Sequence, residues 1–335
     1  MDIYFSTFIT GFDEVIKENL PLKTENLKII KLLDGLVIYK TNSSVQEIRK
    51  IRFFNNSYLL MKSFEKSSLE EALLAVLENK KLLGNIKIEL KKLGKTFRII
   101  FSDENQIVAV NKIKTKDLEE LLSNGIKLDK ANPDIELWFL RRSEDDTFVG
   151  VRITKPEDIE KHLRKGELKP ELAHLLCLLS EPSGNDVLLD PFAGFGAIVL
   201  ERTRYFPFKK VMAGEENKQV FKKLQQRILE NKMDIVLGRW DATNLSSLTD
   251  NSINKIITDP PWGFYKINED LEKFYTRMLQ EFSRVMKSGG LGIILMGQKE
   301  TFEKSLKEIS NFKLIDKLDI LVSGKKASVY KIRKN

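Results

Sequence analysis

Cysteine and histidine are almost missing from this chain. Its 335 residues include one cysteine, Cys177, and two histidines, His162 and His174. A disulfide framework within the chain is excluded, and so is a metal centre built on soft ligands. Cys177 sits inside the apolar run Leu175-Leu-Cys-Leu-Leu179, which predicts a buried thiol and not a nucleophile. No uninterrupted apolar run approaches the roughly 18 residues of a membrane span. The opening Met-Asp-Ile-Tyr-Phe lacks the basic and apolar stretches of a secretory signal, so a cytoplasmic location is expected. Internal repeats and low-complexity tracts are absent as well.

What is present describes a globular protein, with 42% hydrophobic and 31% charged residues over a length that accommodates two domains. The net charge of +8 favours a polyanionic partner, because Lys and Arg displace counterions from phosphates. The charge is unevenly spread. Residues 1–150 hold 24 basic against 23 acidic residues, and residues 151–335 hold 32 against 25. The first part still carries a local basic cluster, Lys91-Lys-Leu-Gly-Lys95 with Arg98.

Two patterns divide the chain. Over residues 1–153 short β-rich runs mix with helical stretches. Phe12–Asn19 reads as helical, and Ser68-Leu-Glu-Glu71 is a capping box that opens a helix over 69–81. Phe97–Phe101 is strand-like, a helix is predicted at Lys116–Leu122, and Ile135–Leu140 with Thr147–Ile153 reads as a hairpin. From Asn185 strands and helices alternate regularly, with strands predicted at 187–190, 211–214, 235–238, 253–258 and 292–296. Helices are predicted from Ala197, over Lys218–Leu229 and over Leu271–Met286, the last capped by Gly289-Gly290. Such alternation builds a parallel sheet covered on both faces. Phe312–Leu321 and Ala327–Ile332 are expected to pair as an antiparallel end. Residues 154–184, with Lys155-Pro156 and Lys169-Pro170, are read as the hinge.

In a sheet of this kind ligands sit beyond the carboxyl ends of the strands. Asp190-Pro-Phe-Ala-Gly-Phe-Gly196 lies at the first such end. Its glycines let the backbone approach a ligand, but the Gly-x-Gly-x-x-Gly of a dinucleotide site is missing, and Asp190 would repel a diphosphate. An acid there suits a cation such as the amino group of S-adenosylmethionine. The second strand ends Gly214-Glu215-Glu216, where a carboxylate would hold ribose hydroxyls. The third is followed by Asp241-Ala242, suited to an adenine edge. The fourth runs into Asp259-Pro260-Pro261-Trp262-Gly263. Its prolines fix φ and offer carbonyls without N–H groups. The Asp259 carboxylate and the Pro260 carbonyl are expected to accept hydrogen bonds from a base amine, and Trp262 to offer a stacking face. Two acceptors that hold the nitrogen near tetrahedral geometry free its lone pair for the methyl carbon. A paired base would have to be flipped out, and Phe264 and Tyr265 are candidates to line its pocket. These residues leave the choice between guanine and adenine amines open.

On these motifs the chain resembles the THUMP-containing RNA methyltransferases that make N2-methylguanosine. Arg164-Lys-Gly-Glu-Leu-Lys-Pro170-Glu-Leu-Ala173 looks like the family's segment that folds over the cofactor. The resemblance implies an α/β fold: a Rossmann-like class I methyltransferase domain over 185–335, its parallel sheet closed by an antiparallel end. A cofactor-covering linker over 154–184 would precede it, then an α+β module made of a ferredoxin-like segment (1–60) and a THUMP RNA-binding domain (61–153). It implies S-adenosyl-L-methionine held by Leu168, Pro170, Asp190, Phe192, Ala193, Gly194, Gly196, Glu216, Asp241, Ala242 and Asp259. Catalysis falls to Asp259, Pro260, Pro261 and Trp262, with no metal. The implied partner of a monomeric enzyme is tRNA, engaged through its acceptor stem and 3′ end, with the methyl group placed at position 6. Position 10, ribosomal RNA, an adenine amine and a catalytically silent RNA-binding protein are the alternatives. The family commonly has Gly-Ser-Gly-Thr where this chain has Gly194-Phe-Gly-Ala197, and Trp262 stands in place of a more frequent Tyr.

Overall fold

A computed structural model describes all residues except 155–162, 165, 264–269 and 323. The chain forms two compact units. One comprises Met1–Phe8 and Asn19–Lys161, the other Ile9–Glu18 and His162–Asn335. Among the described residues no helix is long and apolar enough to cross a membrane.

In the first unit, nine described strands make one sheet. Its path is β2 (Lys28–Leu33), β3 (Leu36–Thr41), β1 (Asp2–Thr7), β4 (Asn56–Phe64), β9 (Thr147–Arg152), β8 (Ile135–Arg141), β5 (Thr96–Asp103) and β6 (Gln106–Ile107), and β7 (Lys127–Leu128) also pairs with β5. β4 straddles residue 60, so the segments 1–60 and 61–153 share this sheet. The hairpin expected between Ile135 and Ile153 is β8 paired antiparallel with β9.

The Ser68 box forms in both directions and opens α3 (Leu69–Glu78), an arrangement that contributes about 1 kcal/mol. The helix expected to run on to residue 81 stops at Asn79. That side chain accepts from Leu82 N and starts a further helix, α4 (Lys80–Leu93), absent from the sequence reading. Leu82, Ile86 and Leu90, four residues apart, bury one stripe of α4 against the cluster of Leu73, Val76, Phe97 and Leu137. Charged residues dilute this stripe, which hides it from a local reading.

In the second unit the strand order is β12 (Val236–Gly238), β11 (Lys210–Gly214), β10 (Val187–Asp190), β13 (Ile253–Thr258), β14 (Met286–Met296), β16 (Lys325–Lys334) and β15 (Phe312–Val322). The first five are parallel, and β14–β16 and β16–β15 are antiparallel, as expected from the alternation. The apolar ends of these two central strands, Ile256-Ile257 of β13 and Leu291–Met296 of β14, are buried, as burial on both faces of a parallel sheet requires. The chain leaves β10 for β11 and β12 on one side and returns to β13 on the other, so the switch point lies between β10 and β13. Helices α7 (Ala197–Tyr205), α8 (Lys218–Glu230) and α9 (Leu271–Val285) connect the strands.

Three local expectations differ. The stretch read as a hinge contains α6 (Pro170–Leu179), with Leu172 through Cys177 buried. Lys169-Pro170 reads as part of that hinge, but in the first turn of a helix Pro170 lacks only an N–H that would go unused. The helix α10 (Lys299–Glu308) buries little beyond Phe302 and Ser305, too few apolar positions to signal it. β14 begins at Met286 and not at Gly292, because Met286 is already extended (φ −72°, ψ 143°) and ends α9. Cys177 is buried as expected, and burial pushes its thiol pKa up.

Candidate active site

The glycine loop between β10 and α7 is shaped by backbone hydrogen bonds, one of them to β11. Ala193 N–H donates to the Gly214 carbonyl (2.8 Å) and Gly196 N–H to the Ala193 carbonyl (2.7 Å). Gly194 (φ +54°) and Gly196 (φ +91°) occupy the left-handed region that disfavours a side chain. The two differ in their surroundings. A Cβ on Gly196 would lie 2.7 Å from Leu224 Cδ1, whereas one on Gly194 would meet only the Phe192 carbonyl oxygen at 3.9 Å. The space over Gly194 is therefore open, a cradle that a side chain would fill.

Asp190 sits beneath this loop, 1% exposed. Its Oδ1 accepts from Thr258 Oγ1 (2.7 Å) and from Phe192 N–H (3.2 Å). Burial pushes its carboxyl up to about 7 despite these donors, and the nearby Glu215 charge adds to the shift. Phe192 is half-buried, its ring 6.0 Å from that of Phe274 on α9.

At the end of β11 the structure turns Glu215 to the loop. Its Oε2 accepts from Gly194 N–H (3.1 Å), its Oε1 from Asn217 N–H (2.8 Å), and burial raises its pKa. Glu216, the residue expected at the ribose, is exposed. After β12, Ala242 is buried and Asp241 exposed, the Asp241 Oδ1 accepting from Thr243 N–H and Oγ1 (both 2.8 Å). Just before them Trp240, which sequence reasoning missed, lies across Gly214 and Gly238, where any Cβ would crowd its ring.

Asp259 begins the turn after β13. The residue is half-buried by area, yet its carboxyl group is enclosed enough that burial pushes it up to about 7, with the Asp190 charge adding and a hydrogen bond from Trp262 opposing. Trp262 Nε1–H donates to Asp259 Oδ1 at 2.8 Å. The exposed Pro261 offers its carbonyl to the Tyr275 hydroxyl (2.7 Å), and the Trp262 carbonyl accepts from Gln298 Nε2 (3.1 Å). Pro260 is buried. Thr258, Tyr275 and Gln298 were not anticipated. Thr258 directly precedes the motif and was legible; the other two come from remote elements with no local signal. Phe264 and Tyr265 lie outside the described residues.

The covering segment reaches the same loop. Glu167 forms an ion pair with Arg227 on α8, whose Nη1 also donates to the Phe195 carbonyl (2.9 Å), and the Arg164 guanidinium lies 4.7 Å from the Phe195 ring centroid. Leu168 and Pro170 follow, both half-buried. Lys155-Pro156, like Lys165, lies outside the described residues.

Asp190, Glu215 and Asp259 are thus three carboxyl groups that burial pushes up at neighbouring strand ends. An approaching cation relieves this cost, so the donor set and the open cradle fit a cationic ligand such as a sulfonium amino acid.

A family model described as UPF0020, RMKL-like, methyltransferase domain matches residues 158–235 and 223–318. The chain is 27% identical over 231 residues to tRNA (guanine(6)-N(2))-methyltransferase THUMP3 of Bos taurus, covering 62% of this chain and 44% of that protein. It is 26% identical over 180 residues to U6 snRNA (guanine-N(2))-methyltransferase THUMPD2 of Bos taurus, covering 52% of this chain and 34% of that one. The chain therefore spans less than half the length of these relatives. The crystal structure of TrmN from Thermus thermophilus shares the fold over the whole of both chains, with a TM-score of 0.81 at 21% identity. The second unit has the class I methyltransferase fold, and residues 158–318 of the chain match the RMKL-like methyltransferase domain of UPF0020.

Proposed function

We propose that this chain is an S-adenosylmethionine-dependent RNA methyltransferase acting on the exocyclic N2 amine of a guanosine in tRNA, at position 6 in the acceptor stem. The observation that carries this reading is the Thr258–Asp190 hydrogen bond. It ties the acid suited to the cofactor's ammonium directly to the strand that delivers Asp259, the acid suited to the target amine.

When bound, S-adenosylmethionine supplies a methyl group on a positively charged sulfur that departs with the bonding electron pair. Asp190, Ala193, Gly194 and Gly196, with Phe192 alongside, hold the methionine end in this reading. Glu216 takes the ribose, Asp241 and Ala242 the adenine, and Leu168 and Pro170 cover the site. Asp259 and the Pro260 carbonyl accept the two N–H groups of the target amine, so that its lone pair points along the line of attack. Once nitrogen has bonded to carbon its proton is acidic and passes to Asp259 and on to water. A carboxyl group whose pKa lies near 7 is suited to take and release that proton.

The first unit serves as the RNA-docking module in this proposal, a ferredoxin-like segment (1–60) followed by a THUMP domain (61–153) that receives the tRNA 3′ end. Lys91, Lys92 and Lys95, exposed at the end of α4, support it. The protein acts as a monomer in the cytoplasm.

The test is to incubate the protein with labelled cofactor and either unmodified tRNA or U6 snRNA, then digest and map the methylated nucleoside. N2-methylguanosine at tRNA position 6 is expected. Labelling of U6 snRNA alone would reassign the substrate, and methylated adenine or no transfer would overturn the reading.

A further inference from the structure

Trp262 was expected to offer a face to the base, but its polar edge is also engaged. Its Nε1–H donates to Asp259 Oδ1 at 2.8 Å, so one of the two carboxylate oxygens is committed within the protein. The indole is braced. Its ring lies over Gly297, where a side chain would overlap it, and its carbonyl accepts from Gln298 Nε2 at 3.1 Å. The preceding Pro261 carbonyl accepts from the Tyr275 hydroxyl at 2.7 Å. A turn tethered at two successive carbonyls cannot readily rotate the indole away from the carboxylate.

We propose that Trp262 is a positioning residue for Asp259: its indole N–H occupies Oδ1 and so presents Oδ2 to the target amine. This rests on the methyltransferase reading above and deepens it. A carboxylate turning freely about its last torsion would offer either oxygen at a range of angles, and only some of these align the amine's lone pair with the methyl carbon. A benzene ring at position 262 keeps an aromatic face and loses the donor. The charged and titratable described groups coupled to Asp259 are Asp190 on β10, which favours its protonation, and Tyr275 on α9, whose own ionisation Asp259 opposes. Against burial and Asp190, the Trp262 bond favours the ionised carboxylate.

Two measurements test this. The first compares Trp262→Phe with the wild type. The expected result is a fall in kcat of about 10- to 100-fold, since the bond is charge-assisted. The acid limb of the pH–rate profile should move to higher pH, with the KM for RNA and the affinity for S-adenosylhomocysteine little altered. A raised KM with unchanged kcat and pH profile would show that Trp262 only stacks, and would overturn the proposal. The second is independent of turnover. The chain has three tryptophans, so its indole 15N–1H spectrum is simple, and the Trp262 resonance is the one lost in Trp262→Phe. It should titrate with pH in the wild type and cease to do so in Asp259→Asn. A resonance that ignores pH from 5 to 9, or titrates equally in Asp259→Asn, would also overturn it. A wild-type protein that neither binds S-adenosylhomocysteine nor transfers methyl would fail the functional reading instead, with the indole titration still informative.

Discussion

Thr258 Oγ1 donates a 2.7 Å hydrogen bond to Asp190 Oδ1, joining the ends of two adjacent parallel strands at the point where the sheet order reverses. One side chain therefore supports the floor of the glycine loop, and its neighbour Asp259 opens the Asp-Pro-Pro-Trp turn. The two halves of the site are coupled through a single strand end.

Thr258→Val keeps the branched shape of the side chain and removes this donor. Because the donor lowers the Asp190 pKa, its loss pushes that carboxyl further up and leaves less of it ionised. Affinity for S-adenosylhomocysteine should fall about tenfold near pH 7, a loss on the order of 1.4 kcal/mol. Titration calorimetry across pH 6 to 8 should find the penalty largest at the acid end. A penalty that is flat with pH would mean the bond acts through geometry alone.

Asp259→Ala removes the acceptor proposed for the target amine without touching the glycine loop. Transfer should drop by about 10²- to 10³-fold, while S-adenosylhomocysteine binding stays within about threefold. Single-turnover assays beside a binding titration separate the two. Near-wild-type transfer would remove Asp259 from the chemistry.

Stability should depend on pH with a definite sign. Asp190 and Asp259 both titrate near 7 in the folded chain, above the ordinary aspartate range. Between about pH 4 and 7 the native state holds protons that the unfolded chain has released, so stability falls as pH rises through that window. Each group contributes at most about 1.4 kcal/mol per pH unit. Asp190→Asn should be more stable than the wild type at pH 8, little different at pH 4, and show a shallower slope between. Urea unfolding without ligand reads this directly. An unchanged slope would show that Asp190 ionises normally in the native state.

The two loop glycines should fail differently. Gly196→Ala forces a side chain against Leu224 at a positive φ, and should cost on the order of 1–3 kcal/mol of stability. Gly194→Val meets open space, so the strain at its φ of +54° costs about 1–2 kcal/mol while the side chain fills the cradle. S-adenosylhomocysteine affinity should be lost in Gly194→Val even where the protein remains folded. Thermal melts with and without ligand distinguish the two, because only a folded protein that still binds gains stability from the ligand.

Local chemistry alone determined much of this protein. The Ser68 box opens a helix because its partner Glu71 is three residues away, and Asp259-Pro-Pro-Trp262 shapes a turn because proline fixes φ wherever it stands. The alternation of apolar strands with amphipathic helices specified the parallel sheet, since burial on both faces leaves a readable pattern. Tertiary structure decided which atoms meet. Glu215 and Glu216 are adjacent and chemically alike, but it is Glu215 that accepts from Gly194 N–H, and that depends on how a loop 21 residues earlier lies across the strand end. The indole of Trp262 rests where Gly297 has no side chain, and Tyr275 reaches the Pro261 carbonyl from a separate helix. Spacing along a chain reports the periodicity of an element and the side of it that is buried. The approach of two elements is set by the packing of everything between them, and no local pattern carries that information.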